Sequence, residues 1–150
     1  MKLDKLNWAI LKLLQQNARA SFSEIGRKIG LTSPAVAERV KKMEDAGVIS
    51  SYKVNLSHQK TGYQLRAMIT LRAFTGRLKA FLETVPNYKE VINCYRITGN
   101  ENIIMEVILH DQAHLERLID RLITYGETRT HIILSKVVED APIDQRSENL

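Results

Sequence analysis

Residues 21–52 constrain the fold of this chain most, because they contain start and stop signals for two short helices separated by a tight turn. Ser21 and Glu24 have the spacing of a capping box, in which each residue satisfies a free N–H group at the start of a helix. Ile25 and Ile29 lie four residues apart and share one face of that helix. Gly30 suits the left-handed conformation that ends a helix. This part of the stretch predicts a short helix followed by a turn.

A second helix is predicted after that turn. Thr32 or Ser33 caps it, and Pro34 lies in its first turn, where the missing N–H of proline costs nothing. Gly47 ends it. The apolar side consists of Val36, Val40 and Met43, and the outer side of Ser33, Glu38, Lys41 and Lys42, with Arg39 at the margin. Two capped helices joined by a glycine turn, the second with a basic outer face, predict a helix-turn-helix.

The positive charge of the chain is concentrated in its first part. Residues 1–62 carry 11 Lys and Arg against 5 Asp and Glu, whereas residues 63–150 carry 11 against 12. A basic module joined to a near-neutral one suggests that the first meets a polyanion. Nucleic acid is the natural polyanion, because each neutralised phosphate releases counterions. A membrane partner is not expected, since the sequence lacks both an amphipathic helix with large exposed apolar residues and an apolar run of about 20 residues.

The remaining composition points to a cytoplasmic protein. The first eight residues lack the apolar core of a signal peptide. The single cysteine, Cys94, has no partner for an internal disulfide. We therefore expect a chain that folds in a reducing compartment.

Elements on either side of the helix-turn-helix complete a first module. A helix is predicted over residues 3–17, with Asp4 in its first turn and an apolar stripe of Leu6, Ile10, Leu13 and Leu14. Trp8 falls off that stripe and is interpreted as a packing contact. Residues 48–55 have strand character, either as a wing or as a connector that pairs elsewhere. Polar residues with a glycine then suggest a linker that ends near residue 63.

The second module alternates between strand and helix patterns in the order βαββαβ. Strands are predicted over 64–73, 91–97, 102–109 and 129–138, and helices over 76–85 and 111–125. That order is the ferredoxin-like split βαβ arrangement. The predicted fold class is therefore α+β, with a winged helix-turn-helix domain (1–50), a hinge strand and linker (51–63), a ferredoxin-like ligand-binding and oligomerisation domain (64–138) and a loosely held tail (139–150).

A dimer is expected from this architecture, because the two helices of such a small sheet lie on one face only. The other face carries either Met68, Thr70 and Arg72 or their neighbours Ile69 and Leu71, with apolar residues from the other strands. Either set needs cover from water. A two-fold dimer would supply that cover and would present two recognition helices about 34–36 Å apart, which predicts pseudo-palindromic DNA sites.

The chain resembles the Lrp/AsnC family of feast/famine transcription regulators. In the first module the resemblance rests on Leu31–Val36, Glu38–Val40, Glu44 and Gly47–Ile49 leading to Tyr52, and in the second on Cys94–Gly99 and Thr128–Thr130. It covers residues 3 to about 138. It implies a winged-helix DNA-binding domain hinged to a ligand-regulated α/β sandwich. It also implies homodimers that assemble into octamers or similar discs, with small effectors, usually amino acids, bound between dimers.

The DNA-contacting residues are predicted from the pattern and the resemblance together. Ser33 and Pro34 begin the recognition helix, Ala35 and Glu38 lie near base edges, and Arg39, Lys41 and Lys42 meet phosphates or bases. Arg27 and Lys28 on the preceding helix reach the DNA backbone. Each lysine has the alternative of a solvated surface charge, and Arg39 has the alternative of pairing with Glu44 or Glu24 to hold the helices together.

The resemblance places an effector site at the turn after the second predicted strand of the sheet and at the start of the last strand. The residues are Thr98, Gly99, Asn100, Glu101 and Asn102, with Thr128 and Thr130. Backbone groups at a glycine turn hold a carboxylate, and acidic side chains hold an ammonium group. The chain departs from the usual Gly-Asp-x-Asp pattern at Asn100 and Asn102, and it lacks the common Pro-Gly-Val before Thr128. The alternative is a turn that only builds a contact between dimers.

Two other classes of function stay open. Catalysis would need a constellation that the sequence lacks: His110 and His114 are four apart without a third ligand, His58 and His131 are isolated, and Cys94 lies mid-strand. No nucleophile elbow or nucleotide-binding glycine loop occurs, so neither a metal nor a cofactor is expected. Some tetrapyrrole decarboxylases resemble this two-module fold, so the fold alone does not exclude an enzyme. An architectural DNA-binding protein without an effector is the other alternative.

Overall fold

The computed structural model describes residues 1–145, which form two compact units. Among the described residues, the N-terminal unit comprises 1–54 together with 138–145, and the sheet unit comprises 55–137. Within the described residues, every helix is too short or too polar to cross a membrane. Each unit has its own apolar core.

Three capped helices form the N-terminal unit: α1 (Lys5–Gln16), α2 (Phe22–Ile29) and α3 (Ser33–Asp45). The Asp4 side chain accepts a hydrogen bond from the Asn7 backbone at the start of α1. The predicted capping box of Ser21 and Glu24 forms with both of its hydrogen bonds. Of the two candidates for the α3 cap, the residue that acts is Thr32, whose hydroxyl accepts from the Ala35 N–H. Local sequence signals therefore set all three helix starts.

The three helices meet around one apolar core. It consists of Ile10 and Leu14 from α1, Ile25 from α2, and Val36, Val40 and Met43 from α3. Because these α3 residues share one side, the helix turns its opposite side to solvent. The predicted helix-turn-helix is confirmed in this arrangement.

A close backbone contact at Gly26 sets the turn between α2 and α3. The Leu31 N–H donates to the Gly26 carbonyl, with 2.9 Å between N and O. A Cβ at position 26 would lie 2.3 Å from the Leu31 carbonyl oxygen. The turn therefore requires glycine at this position, a requirement that helical periodicity does not reveal because it arises from the way the chain folds back after α2.

The strand predicted over residues 48–55 does not form. In the described chain, no strand is assigned between α3 and residue 64, and Tyr52, Val54 and Leu56 are 50%, 84% and 65% exposed. A strand needs a hydrogen-bonding partner, and the pattern of apolar residues alone does not supply one. The N-terminal unit is therefore a helix-turn-helix without a wing of its own.

The sheet unit confirms the α+β architecture. Its elements are β1 (Leu65–Ala73), α4 (Leu78–Thr84), β2 (Val91–Arg96), β3 (Ile103–Leu109), α5 (Gln112–Leu122) and β4 (Gly126–Ile132). The sheet has the order β2-β3-β1-β4, and every neighbouring pair is antiparallel. That is the ferredoxin-like arrangement.

The last strand lies earlier than predicted, at Gly126–Ile132 rather than 129–138. Gly126 pairs with Ala73 in a contact so close that a Cβ would lie 2.2 Å from the Arg72 carbonyl oxygen. At the other end, the Ile133 N–H bonds to the Arg66 carbonyl near the start of β1, and beyond that point β1 offers no further partner. The strand therefore ends where its neighbour ends.

The register decides which residues of β1 face the helices. Ile69 and Leu71 are fully buried with Met105 against Phe81 of α4 and Leu118 of α5. Met68, Thr70 and Arg72 therefore lie on the other side, which we call the open face, with Ile104 of β3 paired to Thr70. Of the two sets weighed from the sequence, the first faces away from the helices.

The glycine contact in the turn yields a first prediction. Gly26→Ala should lower the free energy of unfolding by about 2–3 kcal/mol, because the new methyl group meets backbone rather than a movable side chain. Gly30→Ala is the matched comparison: it has open space but φ of +74°, and should cost about 1 kcal/mol. Urea denaturation of both variants measures the difference, and equal costs would contradict the proposed contact.

Candidate DNA interface and effector site

The predicted DNA-contacting residues of α3 lie on its solvent side. Ser33, Pro34, Glu38, Lys41 and Lys42 are exposed, Ala35 is half-buried, and Arg27 and Lys28 in the last turn of α2 are exposed. The positive end of the helix dipole lies at the exposed Ser33–Pro34 end of α3. The helix therefore presents the positive end of its dipole and a set of cations on the side away from the core.

Two side chains on this surface are paired with each other. The Lys42 Nζ lies 2.6 Å from the Glu38 Oε1, and both side chains are about two-thirds exposed. Hydrogen bonding to Lys42 and its charge lower the pKa of Glu38. A pair so open to water is worth little in stability. It leaves Lys42 free to exchange the carboxylate for a phosphate.

Arg39 is held inside the N-terminal unit. Its Nη1 donates to Asp4 Oδ2 at 2.8 Å and to Asn7 Oδ1 at 2.9 Å, and its side chain is 30% exposed. Asn7, a polar residue of α1, is itself buried. The alternative weighed for Arg39, an ion pair that holds the helices together, is found, but with Asp4, beside a hydrogen bond to Asn7, rather than with Glu24 or Glu44. These partners lie at the N-terminal end of α1, more than thirty residues away, where local spacing gives no signal.

The Asp4 carboxylate therefore has two roles. The backbone N–H of Asn7 and, after it, the Arg39 guanidinium lower the pKa of Asp4. The carboxylate caps α1 and fixes α1 to the recognition helix through one ion pair. The orientation of α3 depends on this contact as well as on the apolar core.

Tyr52 connects the segment after α3 to the helix itself. Its hydroxyl donates to Glu44 Oε1 at 2.8 Å. Partial burial and the neighbouring Glu44 carboxylate raise the pKa of Tyr52 to about 12. Both effects favour the neutral phenol, so the hydrogen bond persists at any physiological pH.

The predicted effector turn is built around Asn102. Its backbone N–H donates to the Leu71 carbonyl, its carbonyl accepts from the Ile97 N–H, and its Oδ1 accepts from the Ala73 N–H at 2.8 Å. Each of these bonds serves the fold, so Asn102 is a structural residue of the turn. Gly99, with φ of +113°, makes the reversal possible, while Thr98 and Asn100 are exposed beside it.

The other predicted effector residues divide between the two faces of the sheet. Thr128 and Thr130 pair with Leu71 and Ile69 and so share the helix side of the sheet. Glu101 instead meets Arg129, with 3.4 Å between Oε1 and Nη1. Arg129 pairs with Thr70 and so lies on the open face. One strand separates the turn from Thr128, a distance of about 10 Å. Within one chain, the seven residues share one end of the sheet but do not converge on a single point.

A polar network on the open face was missed by the sequence analysis. Arg66 and Asn93 both bond to the Glu106 carboxylate, although the three residues lie on three different strands. Burial raises the pKa of Glu106, but hydrogen bonds from Asn93 and Arg66 outweigh that effect and leave it lowered. The Arg66 Nε and the Thr70 hydroxyl are buried without a partner in the described chain. The sequence feature that could have revealed this network is the alternation of polar and apolar residues along β1.

The two histidines weighed as a metal pair belong to a stack at one end of the sheet. Tyr63 stacks on His110, which stacks on His114, whose Nε2 lies 3.1 Å from the Glu90 carboxylate. Arg121 shares that carboxylate and lies over the Tyr88 ring. Among residues 1–145, no three His, Cys, Asp or Glu side chains come together in a group that could hold a metal ion.

Comparison with known proteins decides the family. Residues 3–44 match the AsnC-type helix-turn-helix domain, and residues 66–143 match the Lrp/AsnC ligand binding domain. The chain belongs to the Lrp/AsnC family. It is therefore a helix-turn-helix transcriptional regulator with a ligand-binding domain.

Relatives and solved structures agree with this assignment over nearly the whole chain. The Bacillus subtilis regulators LrpB and LrpC are each 31% identical to it, over 137 and 140 residues, which cover 91% of this chain and 92% and 95% of theirs. The solved structure of Bacillus subtilis LrpC aligns with a TM-score of 0.87 at 28% identity, covering 92% of this chain and 99% of LrpC. A Neisseria meningitidis regulator, solved as a complex with L-Met, has the same fold, with a TM-score of 0.89 at 23% identity over 95% of this chain and 96% of its own.

The Asp4 contact predicts a pH-dependent stability in this Lrp/AsnC protein. Because folding lowers the pKa of Asp4, its contribution is present above the unfolded pKa and is lost as the pH falls through the folded value. Asp4→Asn keeps a good helix cap but removes the charge. The stability gap between wild type and Asp4→Asn, from urea midpoints, should therefore close below about pH 4. Asp45→Asn, an exposed carboxylate at the end of α3, is the control; a gap independent of pH would contradict this role.

The Asn102 contacts predict a contrast between two substitutions. Asn102→Ala should lower the free energy of unfolding by about 1–2 kcal/mol, because it leaves the Ala73 N–H without its acceptor. Asn102→Asp keeps an acceptor oxygen at the same place and should be close to neutral. Thermal denaturation of the two variants measures this, and equal losses would show that the acceptor is not what position 102 supplies.

Proposed function

We propose that this protein is a sequence-specific regulator that binds pseudo-palindromic double-stranded DNA as a dimer-based oligomer and responds to a small effector such as an amino acid. The observation that carries the proposal is the division of α3. Its apolar side is buried in the core, while its opposite side, with an exposed N-terminal end and exposed cations, is open to a partner. A helix presented in this way fits the major groove of DNA.

The start of α3 supplies the contacts that read sequence in this proposal. Ser33 and Pro34 lie at its N-terminal end, followed by Ala35 and Glu38 on the same exposed side. Small side chains at the first turn let the helix approach base edges closely. Glu38 accepts hydrogen bonds and favours a cytosine amino group.

The cations around this start supply affinity. Lys41 and Lys42 on α3 and Arg27 and Lys28 on α2 are exposed and meet phosphates, which fixes register without reading sequence. Arg39 is proposed as a positioning residue, because Asp4 and Asn7 already engage its Nη1. Its substitution would therefore disturb the placement of α3 as well as any phosphate contact.

The open face of the sheet supports a dimer. It combines apolar Met68 and Ile104 with the Arg66–Glu106 pair and a Thr70 hydroxyl that has no partner in the described chain. A second copy packed face to face would cover the apolar residues. Two copies of α3 would then be available for two half-sites.

The effector part of the proposal rests on the end of the sheet that carries Glu101 and Arg129. A free amino acid has an ammonium and a carboxylate, and these two side chains are an acceptor and a donor of matching charge. The solved L-Met complex of the Neisseria meningitidis regulator supports an amino acid as the ligand class. Because the seven candidate residues do not converge within one chain, the site is completed where copies meet.

DNA binding provides a salt-dependent prediction. Lys42→Ala should weaken binding to specific and random duplexes alike and should reduce the slope of log K against log salt concentration by about 1, because one phosphate contact is lost. Lys79→Ala, an exposed lysine on α4 of the sheet unit, is the matched control and should leave the slope unchanged. Fluorescence anisotropy at several salt concentrations measures both. An unchanged slope for Lys42→Ala would remove that residue from the interface.

The effector is tested by repeating a genomic footprint with each of the twenty amino acids. One or a few of them should change the occupied sites or the affinity, and Glu101→Gln should abolish that response without loss of DNA binding. If no amino acid changes the occupied sites or the affinity, an architectural role without an effector is favoured instead.

A further inference from the structure

The N-terminal unit carries an apolar groove beside α1, at the edge of the helix-turn-helix core. It has a volume of about 320 Å³ and lies between α1 and residues 48–53. Trp8, Leu11 and Leu14 form one wall, and Ile49 and Tyr52 belong to the other. The hydrogen bond to Glu44 fixes the Tyr52 side of the groove. Nothing in the proposed DNA contact or effector site uses this surface.

The chain's own C-terminal segment reaches this groove. Ile143 lies at its edge, and its backbone makes two hydrogen bonds with the side-chain amide of Gln15. The Gln15 Nε2 donates to the Ile143 carbonyl at 3.0 Å, and the Ile143 N–H donates to the Gln15 Oε1 at 2.7 Å. The amide thereby satisfies both backbone groups of one residue, as a neighbouring strand would. The tail predicted as loosely held is bound at this point, while residues 146–150 lie outside the described part.

We propose that the edge of this groove is a docking site for an extended, proline-containing peptide, and that the peptide it holds is the C-terminal segment of this chain, residues 141–145, anchored by Gln15 at the Ile143 backbone. Two aromatic walls and a hydrogen-bond donor aimed at a carbonyl are the features by which proteins bind extended proline-containing segments. Pro142 precedes the clamped residue and restricts both itself and Ala141 to extended conformations. The segment is thus ordered in advance, which lowers the entropy lost on docking.

The contact depends on backbone rather than on the side chain at position 143. The Ile143 side chain is 74% exposed, so it borders the groove without filling it. Recognition therefore requires a free N–H and carbonyl at position 143, whereas the identity of the side chain matters less. Replacement by valine should be tolerated, and replacement by proline, which has no N–H, should not be.

The docked segment also bears on the recognition helix through α1. Gln15 holds the tail near the C-terminal end of α1, and Asp4 and Asn7 at the N-terminal end of the same helix bond to Arg39. Docking therefore adds to the contacts that order α1. The proposal itself does not rest on DNA binding, and its test uses no DNA.

The test compares the full-length protein with Gln15→Ala and Gln16→Ala. Both replace an exposed glutamine near the end of α1 with a good helix former, and in the described chain it is the amide of Gln15 that reaches Ile143. Amide hydrogen exchange, followed by NMR, should show Ile143 protected in the wild type and in Gln16→Ala. Protection should fall about tenfold in Gln15→Ala, as expected for the loss of two hydrogen bonds. Ile143→Pro tests the same contact without altering α1, and Ile143→Val is its matched control.

Trp8 provides a second readout, because it is the single tryptophan of the chain and lines the groove. Quenching of its fluorescence by acrylamide should increase in Gln15→Ala and Ile143→Pro, and should be unchanged in Gln16→Ala and Ile143→Val. An Ile143 amide that exchanges in the wild type as fast as in a free peptide of the same sequence would overturn the proposal. Equal protection and equal quenching in Gln15→Ala and Gln16→Ala would overturn it as well.

Discussion

The burial of one side of α3 is the constraint on which the rest of the N-terminal unit depends. Val36, Val40 and Met43 lie one turn apart and are sealed against α1 and α2. Burial of each such side chain contributes about 1.5–3 kcal/mol, far more than any exposed charge on the other side. If α3 were rotated about its axis, lysine side chains would replace apolar side chains in the core. The core therefore fixes the direction in which the basic side of the helix faces.

Polar contacts refine what the apolar core imposes. Arg39 lies at the border between the buried and exposed sides, and its bonds to Asp4 and Asn7 tie the recognition helix to the start of α1. Gly26 lets the turn between α2 and α3 close to backbone contact. Neither contact creates the helix-turn-helix, but each narrows the angle at which α3 is presented. A protein that reads base edges needs that angle to be constant.

The sheet unit follows a different division between its faces. Both helices cover one side, where Ile69, Leu71 and Met105 are fully buried, and the other side mixes apolar residues with charge pairs. Charged groups placed among apolar ones favour a specific partner over general aggregation, because a wrong partner leaves a charge unpaired. The open face therefore has the character of an interface between defined partners rather than of an exposed core.

Local signals explain what the sequence predicts well, and distance along the chain explains what it misses. The capping box at Ser21, the left-handed Gly30 and the order of strands and helices depend on residues within a few positions of each other, and all are found. The contact at Gly26 depends on the path of the turn after α2, and the partners of Arg39 and the clamp of Ile143 by Gln15 involve separate elements. The strand over 48–55 failed for the same reason, because its pattern does not reveal whether a partner strand exists.

The candidate sites show the same limit. The exposed side of α3 could be deduced from helical periodicity, so its predicted residues are found on one surface. The predicted effector residues came from resemblance, and only the strand register shows that Thr128 and Thr130 share the helix side while Glu101 meets Arg129. Periodicity within one strand does not establish its register against the next.

The most direct test of the central claim is affinity cleavage of DNA from the exposed side of α3. A DNA-cleaving iron chelate is attached to the cysteine of Glu38→Cys, in a chain whose Cys94 is changed to serine, and the cuts are mapped on a genomic fragment that the protein retains. The account predicts cuts centred in the major groove at two positions related by two-fold symmetry, about one helical turn apart. Cuts spread evenly along the fragment would contradict the placement of α3 in the major groove. Equal cutting from the same chelate at Lys79→Cys in the sheet unit would contradict it as well.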